Sequence, residues 1–567
     1  MIQSRLNFRH RGAANNSVFF LLAIRNLVNV DSGSDGNGKA RSCAALGRQS
    51  ALYWRKRRDA SVSGLRGGAN ACLARLTEAD PFSAEKAETP ARNQGGWMKN
   101  TILTRCEQGV LEGVTNDGVH TFFDIPYASD SGRFKPAGAP ARWSGQRHAT
   151  RPGPVFPQLP GRLDFVMGPV CRGVPQSEDA FRLNVFTPDL NGSLPVVFWI
   201  HGGGFMTGGA LRCYSGDALA RLGRAVVVTM NYRLGVLGNL YMEGVSPGNL
   251  SVSDLERALE WVKENIAGFG GDPNSIVVAG QSAGAWYAQL LAAMPATHER
   301  VKAIAMLSYP GLQPMAPENA HASAVRLCES AGLSSGDALA TLPVERILIE
   351  QARMLGTVAK FAEVPIAFMP VASERVPADP GATAQASFGG KPVLIGWTRD
   401  ETASFFASHP PVLAATEDQA LEKFGLEWGV EGPSRYASVA SGRFDHKPYA
   451  ALVELSSEKL INEPTRQFAS RMAKAGSDVF AYRFDFQSRQ QNIGACHCFE
   501  LPFLFGNFAN WADAPMLAQL DAQLSGALST RFQSHFLNFV ESGNPNGRDL
   551  PAWVKYNDAN DELMYLK

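Results

Sequence analysis

No stretch of this 567-residue chain is apolar for the roughly 18–20 residues that a helix needs to cross a bilayer. The best candidate, Val18–Ile24, is seven residues long and runs straight into Arg25. A basic segment precedes it, as in a secretory signal, but it is short and no small-x-small cleavage site follows closely. A stable membrane span is not expected. An excess of one charge sign is also missing: 54 Lys and Arg against 53 Asp and Glu leave a net of +1. That excludes the basic field on which nucleic-acid binding depends, so no nucleic-acid partner is expected. Cysteine pairing motifs are absent too. Cys43, Cys72, Cys106, Cys171, Cys213, Cys328, Cys496 and Cys498 are scattered, and no two form a C-x-x-C pair. A zinc or thioredoxin-type site therefore has no support, and the density is low for a disulfide scaffold. A reducing, cytoplasmic setting is the expectation.

The near-zero net charge hides two unlike stretches. Residues 1–97 hold 15 Lys and Arg and 7 Asp and Glu, a net of +8, which leaves the remainder at −7. The first stretch contains Gly/Ser/Asn clusters, the basic knot Arg55-Lys56-Arg57-Arg58, and no sustained period of 2 or 3.6. It reads as a basic, disordered N-terminal extension, or as sequence upstream of a true start at Met98, in preference to a tail that touches membranes or nucleic acid. Residues 98–567 read as one catalytic-size domain.

From about Thr101 the pattern turns regular. Short strands are predicted at Gly109–Val114 and Val119–Ile125. Beyond residue 190 come continuous apolar runs at Pro195–Ile200, Ala225–Met230, Ser275–Ala279, Val301–Leu307 and Pro392–Ile395. Continuous runs signify burial on both faces, as in a parallel sheet covered by helices. Between them Leu255, Ala258, Leu259, Val262 and Ile266 keep helical spacing, and a second helix is predicted after residue 282. Strand–helix alternation of this kind defines an α/β fold with a mostly parallel central sheet flanked by helices.

Two motifs carry chemistry. Gly280-Gln281-Ser282-Ala283-Gly284 matches G-x-S-x-G, a pattern that chance alone would produce about 0.4 times in a chain of this composition. Its setting makes it informative. It lies between the strand Ile276–Ala279 and the predicted helix, so the serine sits on a turn sharp enough to thrust its hydroxyl above the sheet edge. The second motif, His201-Gly202-Gly203-Gly204-Phe205, directly follows the strand Val196–Ile200. Glycines let the main chain come close to a substrate oxygen, so their N–H groups, with that of Ala283, can meet a developing oxyanion.

A serine hydroxyl needs a base. Of ten histidines, His298, His321, His409, His446, His497 and His535 follow the serine in the order serine, acid, histidine. His497 stands out because a short loop joins it to the predicted strand Asp478–Phe486. The acid belongs at another strand end. After Pro392–Ile395 come Asp400 and Glu401, and position does not separate them. Cys496 and Cys498 flank His497, but adjacent soft ligands converge poorly on one ion, so no metal and no other cofactor is expected.

Taken together the chain resembles the type-B carboxylesterase/lipase family, the cholinesterase-like branch of the α/β-hydrolases, over about residues 107–560. The landmarks are Asp124-Ile125-Pro126-Tyr127-Ala128, Ser177–Val185, the H-G-G-G-F run, Asn231-Tyr232-Arg233-Leu234-Gly235, Gly248-Asn249-Leu250 with Asp254, Phe269-Gly270-Gly271-Asp272-Pro273, the serine turn and Gly494–Gly506. The resemblance implies a Ser282–Glu401–His497 triad, oxyanion donors at Gly203, Gly204 and Ala283, and a supporting serine for the acid at Ser308. It implies helical insertions capping the site of an α/β-hydrolase fold. The acid's D-E-G turn reads Asp400-Glu401-Thr402 here. Both halves of a family disulfide are replaced, by Phe156 and Ala180, in line with a reduced bacterial-type enzyme. No Trp lies between Phe156 and Ser177, where cholinesterases hold choline, so a cholinesterase is not implied.

The expected activity is therefore hydrolysis of small-molecule carboxylic esters through an acyl-enzyme. A carbamate or amide hydrolase on the same triad is the alternative. A non-catalytic binding protein on this fold would ordinarily lack a triad member, and here all three are present. The substrate pocket is expected between the strands' carboxyl ends and insertions at residues 310–390 and 405–470. Phe405, Phe406, Phe499 and Trp286 are candidates for its wall, each with plain core packing as the simpler role. Substrate size and oligomeric state are not legible.

Overall fold

The computed structural model describes residues 100–442, 448–557, 559 and 562–567. The expectations for residues 1–97 fall outside them. The described residues form fourteen strands: β1 (Thr101–Cys106), β2 (Gly109–Asn116), β3 (Val119–Pro126), β4 (Gln146–His148), β5 (Arg182–Thr187), β6 (Leu194–Ile200), β7 (Val226–Met230), β8 (Tyr241–Met242), β9 (Ser246–Pro247), β10 (Gly271–Gln281), β11 (Ala303–Leu307), β12 (Val393–Thr398), β13 (Val479–Phe484) and β14 (Met564–Leu566). Strands β8 and β9 pair with each other, and the other twelve form one sheet ordered β1-β2-β3-β5-β7-β6-β10-β11-β12-β13-β14, with β4 on β2. Every neighbour pair from β7 to β14 is parallel, and the β1–β5 edge joins it antiparallel.

The apolar runs are central strands buried on both faces, and their alternation separates two cores. Val196, Phe198 and Ile200 of β6 and Val226, Val228 and Met230 of β7 point into one core. Val197 and Trp199 of β6 and Val227 of β7 point into the other. Helix α1 (Leu250–Asn265) buries Leu255, Ala258, Leu259 and Val262 in the first core, beside α2 (Ala283–Ala293). Helix α3 (Ala522–Ser542) buries Leu528, Phe532, Phe536 and Phe539 in the second. At about 25 cal/mol per Å² of apolar area, such two-sided burial supplies most of the driving force for folding.

Boundaries differ from the sequence reading where pairing overrides local pattern. Strand β10 begins at Gly271, not Ser275, because a register shift between Gly271 and Ile276 lets it reach β6 early. Ile266 falls just past the end of α1, in a tight turn closed by Gly270 in the left-handed region. Where the resemblance expects a disulfide, Phe156 packs edge-on against Phe181 at 5.0 Å and Ala180 is buried. Several landmarks prove structural. Asn231 ties its loop to Pro154 and Ala180 carbonyls, and Arg233 forms a buried ion pair with Asp254 of α1 at 2.6 Å. Among the described residues no helix is long and apolar enough to cross a membrane.

Candidate active site

Parallel strands end at one edge of a sheet, and loops leaving that edge face the same space. The loops after β6, β10, β12 and β13 carry, in turn, Gly202–Gly204, Ser282, Glu401 and His497. Residues separated by more than 200 positions are thereby neighbours.

Ser282 joins β10 to α2 with φ 59° and ψ −125°, a conformation in which a non-glycine residue stores about 1–3 kcal/mol. Its neighbours make the turn possible. A Cβ on Gly284 would lie 2.0 Å from the Ile200 carbonyl oxygen, and one on Gly280 would lie 2.4 Å from that of Gly284. Only hydrogen fits at either place. Ser282 N–H donates to the Leu307 carbonyl at 2.9 Å, while its half-exposed side chain lines a pocket.

His497 is buried. Its Nδ1 meets Glu401 Oε2 at 2.5 Å, and the other carboxylate oxygen, Oε1, accepts from Thr398 N–H at 2.7 Å. The carboxylate side can only accept, so Nδ1 carries the proton. Nε2 faces the amide nitrogen of Gln281 at 3.1 Å, which can only donate, so Nε2 presents its lone pair. The Gln281 oxygen accepts from Cys498 Sγ at 3.4 Å, which orients the amide. The imidazole is thus held as the tautomer that can receive a proton at Nε2, with Gln281 engaging that lone pair in the resting molecule. Asp400, the other acid open on position, turns away and accepts from Ala495 N–H at 2.9 Å.

The glycine loop is braced from behind. His201 stacks on Tyr232 at 4.3 Å, its Nδ1–H donates to the Gly202 carbonyl at 2.8 Å, and burial pulls its pKa down to about 4. It is therefore a neutral brace. Gly203 adopts φ 121°, and a Cβ there would lie 2.0 Å from the Thr207 carbonyl oxygen. The N–H groups of Gly203, Gly204 and Ala283 donate to no other protein group among the described residues. All three residues line the pocket with Ser282 and His497.

Ser308 departs from its expected place. Its hydroxyl donates to Glu500 at 3.3 Å, not to Glu401, whose two oxygens are already taken by Thr398 and His497. Glu500 is fully buried, and its Oε2 has no partner among the described residues. Burial first, and the nearby negative charge of Glu401 second, raise its carboxyl to about 8. Unfolded, the group would ionise near 4.5. Between about 4.5 and about 8 the native state therefore binds the extra proton. This contribution to stability is fully present below 4.5, is lost as pH rises through about 8, and is constant beyond. Glu500→Gln should flatten the fall in stability across that window, making the variant gain on the wild type as pH rises. Urea unfolding at two pH values, one near each limit, checks this, and an unchanged difference between the proteins would refute it.

The pocket wall also separates the aromatic candidates. Phe405 lines it, its ring tilted 39° to that of His497 with the centres 5.7 Å apart, whereas Phe406, Phe499 and Trp286 are packed in the cores. Trp286 turns its N–H to the Leu312 carbonyl instead. Both insertions contribute as expected, through Pro310, Val364 and Ile366 on one side and Leu460 and Ile461 of a π-helical turn (Glu458–Asn462) on the other. The sequence reading missed the Gly161–Cys171 wall with Arg162, since that loop has no period and no motif, and missed Gln281, the variable position of G-x-S-x-G.

A sheet of parallel strands with a serine on a strained strand–helix turn defines an α/β-hydrolase with serine-type chemistry. Comparison with known proteins is specific within that class. Residues 99–567 match the model of the carboxylesterase family. Phenmedipham hydrolase of Pseudarthrobacter oxydans is 34% identical over 80% of this chain and 92% of its own. The para-nitrobenzyl esterase of Bacillus subtilis is 32% identical over 83% and 95%. The solved structure of a Geobacillus stearothermophilus carboxylesterase superposes with a TM-score of 0.71 at 31% identity, covering 82% of this chain and 96% of that one. The chain belongs to the carboxylesterase family and is a carboxylic ester hydrolase acting on small-molecule esters.

Proposed function

We propose that Ser282 is the nucleophile, His497 the general base and acid, and Glu401 the orienting carboxylate of this esterase, with Gly203, Gly204 and Ala283 as the oxyanion donors. The observation that carries the reading is the relay from Glu401 to His497 Nδ1 at 2.5 Å, in one pocket with the Ser282 hydroxyl and three free amides. In the first step the lone pair of His497 Nε2 passes from Gln281 to the Ser282 hydroxyl and takes its proton. Oγ bonds to the ester carbon, and the carbonyl electrons move onto oxygen between the waiting N–H groups. Each such donor typically lowers the barrier by about 3–4 kcal/mol. The C–O bond to the alcohol then breaks, and the alcohol leaves with the proton from Nε2. Water repeats the sequence on the acyl-enzyme, its proton passing to Nε2 and on to Ser282 Oγ.

The six described cysteines are free thiols, and Phe156 and Ala180 pack where a bridge would lie. Both support a reducing, cytoplasmic setting as part of this proposal. A fluorophosphonate probe should add one label per chain, on the peptide carrying Ser282, with loss of 4-nitrophenyl ester hydrolysis in proportion to labelling. Labelling of another serine, or full activity after labelling of Ser282, would overturn the assignment.

A further inference from the structure

Arg162 sits on the pocket wall without a counter-ion among the described residues. Its Nη1 donates to the Pro365 carbonyl at 2.7 Å, and its guanidinium carbon lies 5.7 Å from the centre of the Phe405 ring, the same ring that neighbours His497. Nη2 reaches the oxyanion loop so closely that a Cβ on Gly204 would lie 2.4 Å from it. Neither Nε nor Nη2 donates to any described protein group, and neither is sealed from the cavity. No carboxylate among the described residues lies within 4.0 Å of the guanidinium. Asp164 lines the same wall, but the cation that acts on it is Arg172. Burial lowers Arg162 only to about 10, so it stays charged at neutral pH. A half-buried cation with free donors facing a cavity favours an anionic partner there. The rest of the lining offers mainly carbon, and the fork of a guanidinium matches a carboxylate in geometry and charge.

From this placement we infer that the preferred substrates are esters that carry a carboxylate a few bonds from the reacting carbonyl, bound by the free edge of Arg162. This rests on the esterase reading of Ser282 and deepens it to a substrate class. The reaction itself is unchanged: the carboxylate is a handle, not a reactant.

The test compares matched pairs, one ionised and one neutral: the mono-4-nitrophenyl ester of adipic acid against its methyl ester, and 4-acetoxybenzoate against its methyl ester. The two pairs place the charge on the acyl and on the alcohol side. In the wild type at least one ionised ester should show a kcat/KM about tenfold or more above its neutral partner, with the advantage shrinking as salt is added. Arg162→Met should lower that ionised-to-neutral ratio by about 30-fold, mainly through KM, and Arg162→Lys should restore part of it. No preference for the ionised member in either pair would overturn the inference from the wild type alone, whether or not the variants fold. So would a variant in which both members fall equally, since Arg162 would then only hold the Pro365 segment. Hydrolysis of neither member of a pair, with no fluorophosphonate label on Ser282, would instead mean that the esterase reading had failed.

Discussion

Ser282→Ala is expected to lower kcat for a 4-nitrophenyl ester by on the order of 10⁵–10⁶, leaving the fold intact. The expectation follows from where the hydroxyl is and what it does not hold together. Among the described residues the side chain has no hydrogen bond that the variant would lose, and the backbone bond from residue 282 to Leu307 survives. Alanine bears the same strained φ of 59° that serine does, so the strain term cancels. What disappears is the oxygen proposed to form the acyl bond. The free amides of Gly203, Gly204 and Ala283 remain, so the variant should still exceed the uncatalysed rate by about 10³–10⁴, as water attacks a polarised carbonyl. Continuous absorbance assays beside thermal melts separate the two readouts. A variant that retained a tenth of the activity would place the nucleophile elsewhere.

Glu401→Gln should cost about 10⁴ in kcat although it changes one atom. The reason lies in the second oxygen of the carboxylate. Oε1 accepts from Thr398 N–H at 2.7 Å, so a glutamine must put its carbonyl there and its NH₂ toward His497. An amide N–H facing Nδ1 turns that nitrogen into an acceptor and drives the ring proton to Nε2. Nε2 then meets the Gln281 amide donor, and later Ser282, with a proton in place of a lone pair. The same reasoning predicts little change in KM, since Glu401 is fully buried behind the imidazole and touches no substrate space. A fall of less than tenfold would show that the carboxylate neither selects the tautomer nor stabilises the imidazolium. Glu401→Asp is a useful control. It keeps the charge but shortens the reach to a histidine now 2.5 Å away, and should land between the wild type and the glutamine variant.

The central fold was legible because its physics is local. Strands β6, β7, β10, β11 and β12 are buried on both faces, so each reads as an unbroken apolar run, and α1 has a half-buried stripe with helical spacing. The serine turn and glycine loop were legible because their backbones tolerate almost nothing else: Gly280 and Gly284 have no room for a single carbon. Ser308 and the pocket wall were not legible, since contact across the sheet edge leaves no period in the chain. Nothing in the run from Pro157 to Arg162 marks it as passing beside the oxyanion loop. Trp286 stood among the candidates for the pocket wall with core packing as its simpler role, and it is in the core that it lies, its N–H bonded to the Leu312 carbonyl.

The amino-acid order by itself determined the strands, the helices, the turn that strains Ser282 and the family of the chain, because each depends on steric rules acting over a few neighbouring residues. Only the tertiary structure set Glu401 and not Asp400 against His497, handed Ser308 to Glu500, placed the Gln281 amide on His497 Nε2 and set a guanidinium with no ion-pair partner among the described residues beside the pocket. Those outcomes depend on which loops the parallel sheet gathers at its carboxyl edge, and on how charge settles once water has been excluded from between them.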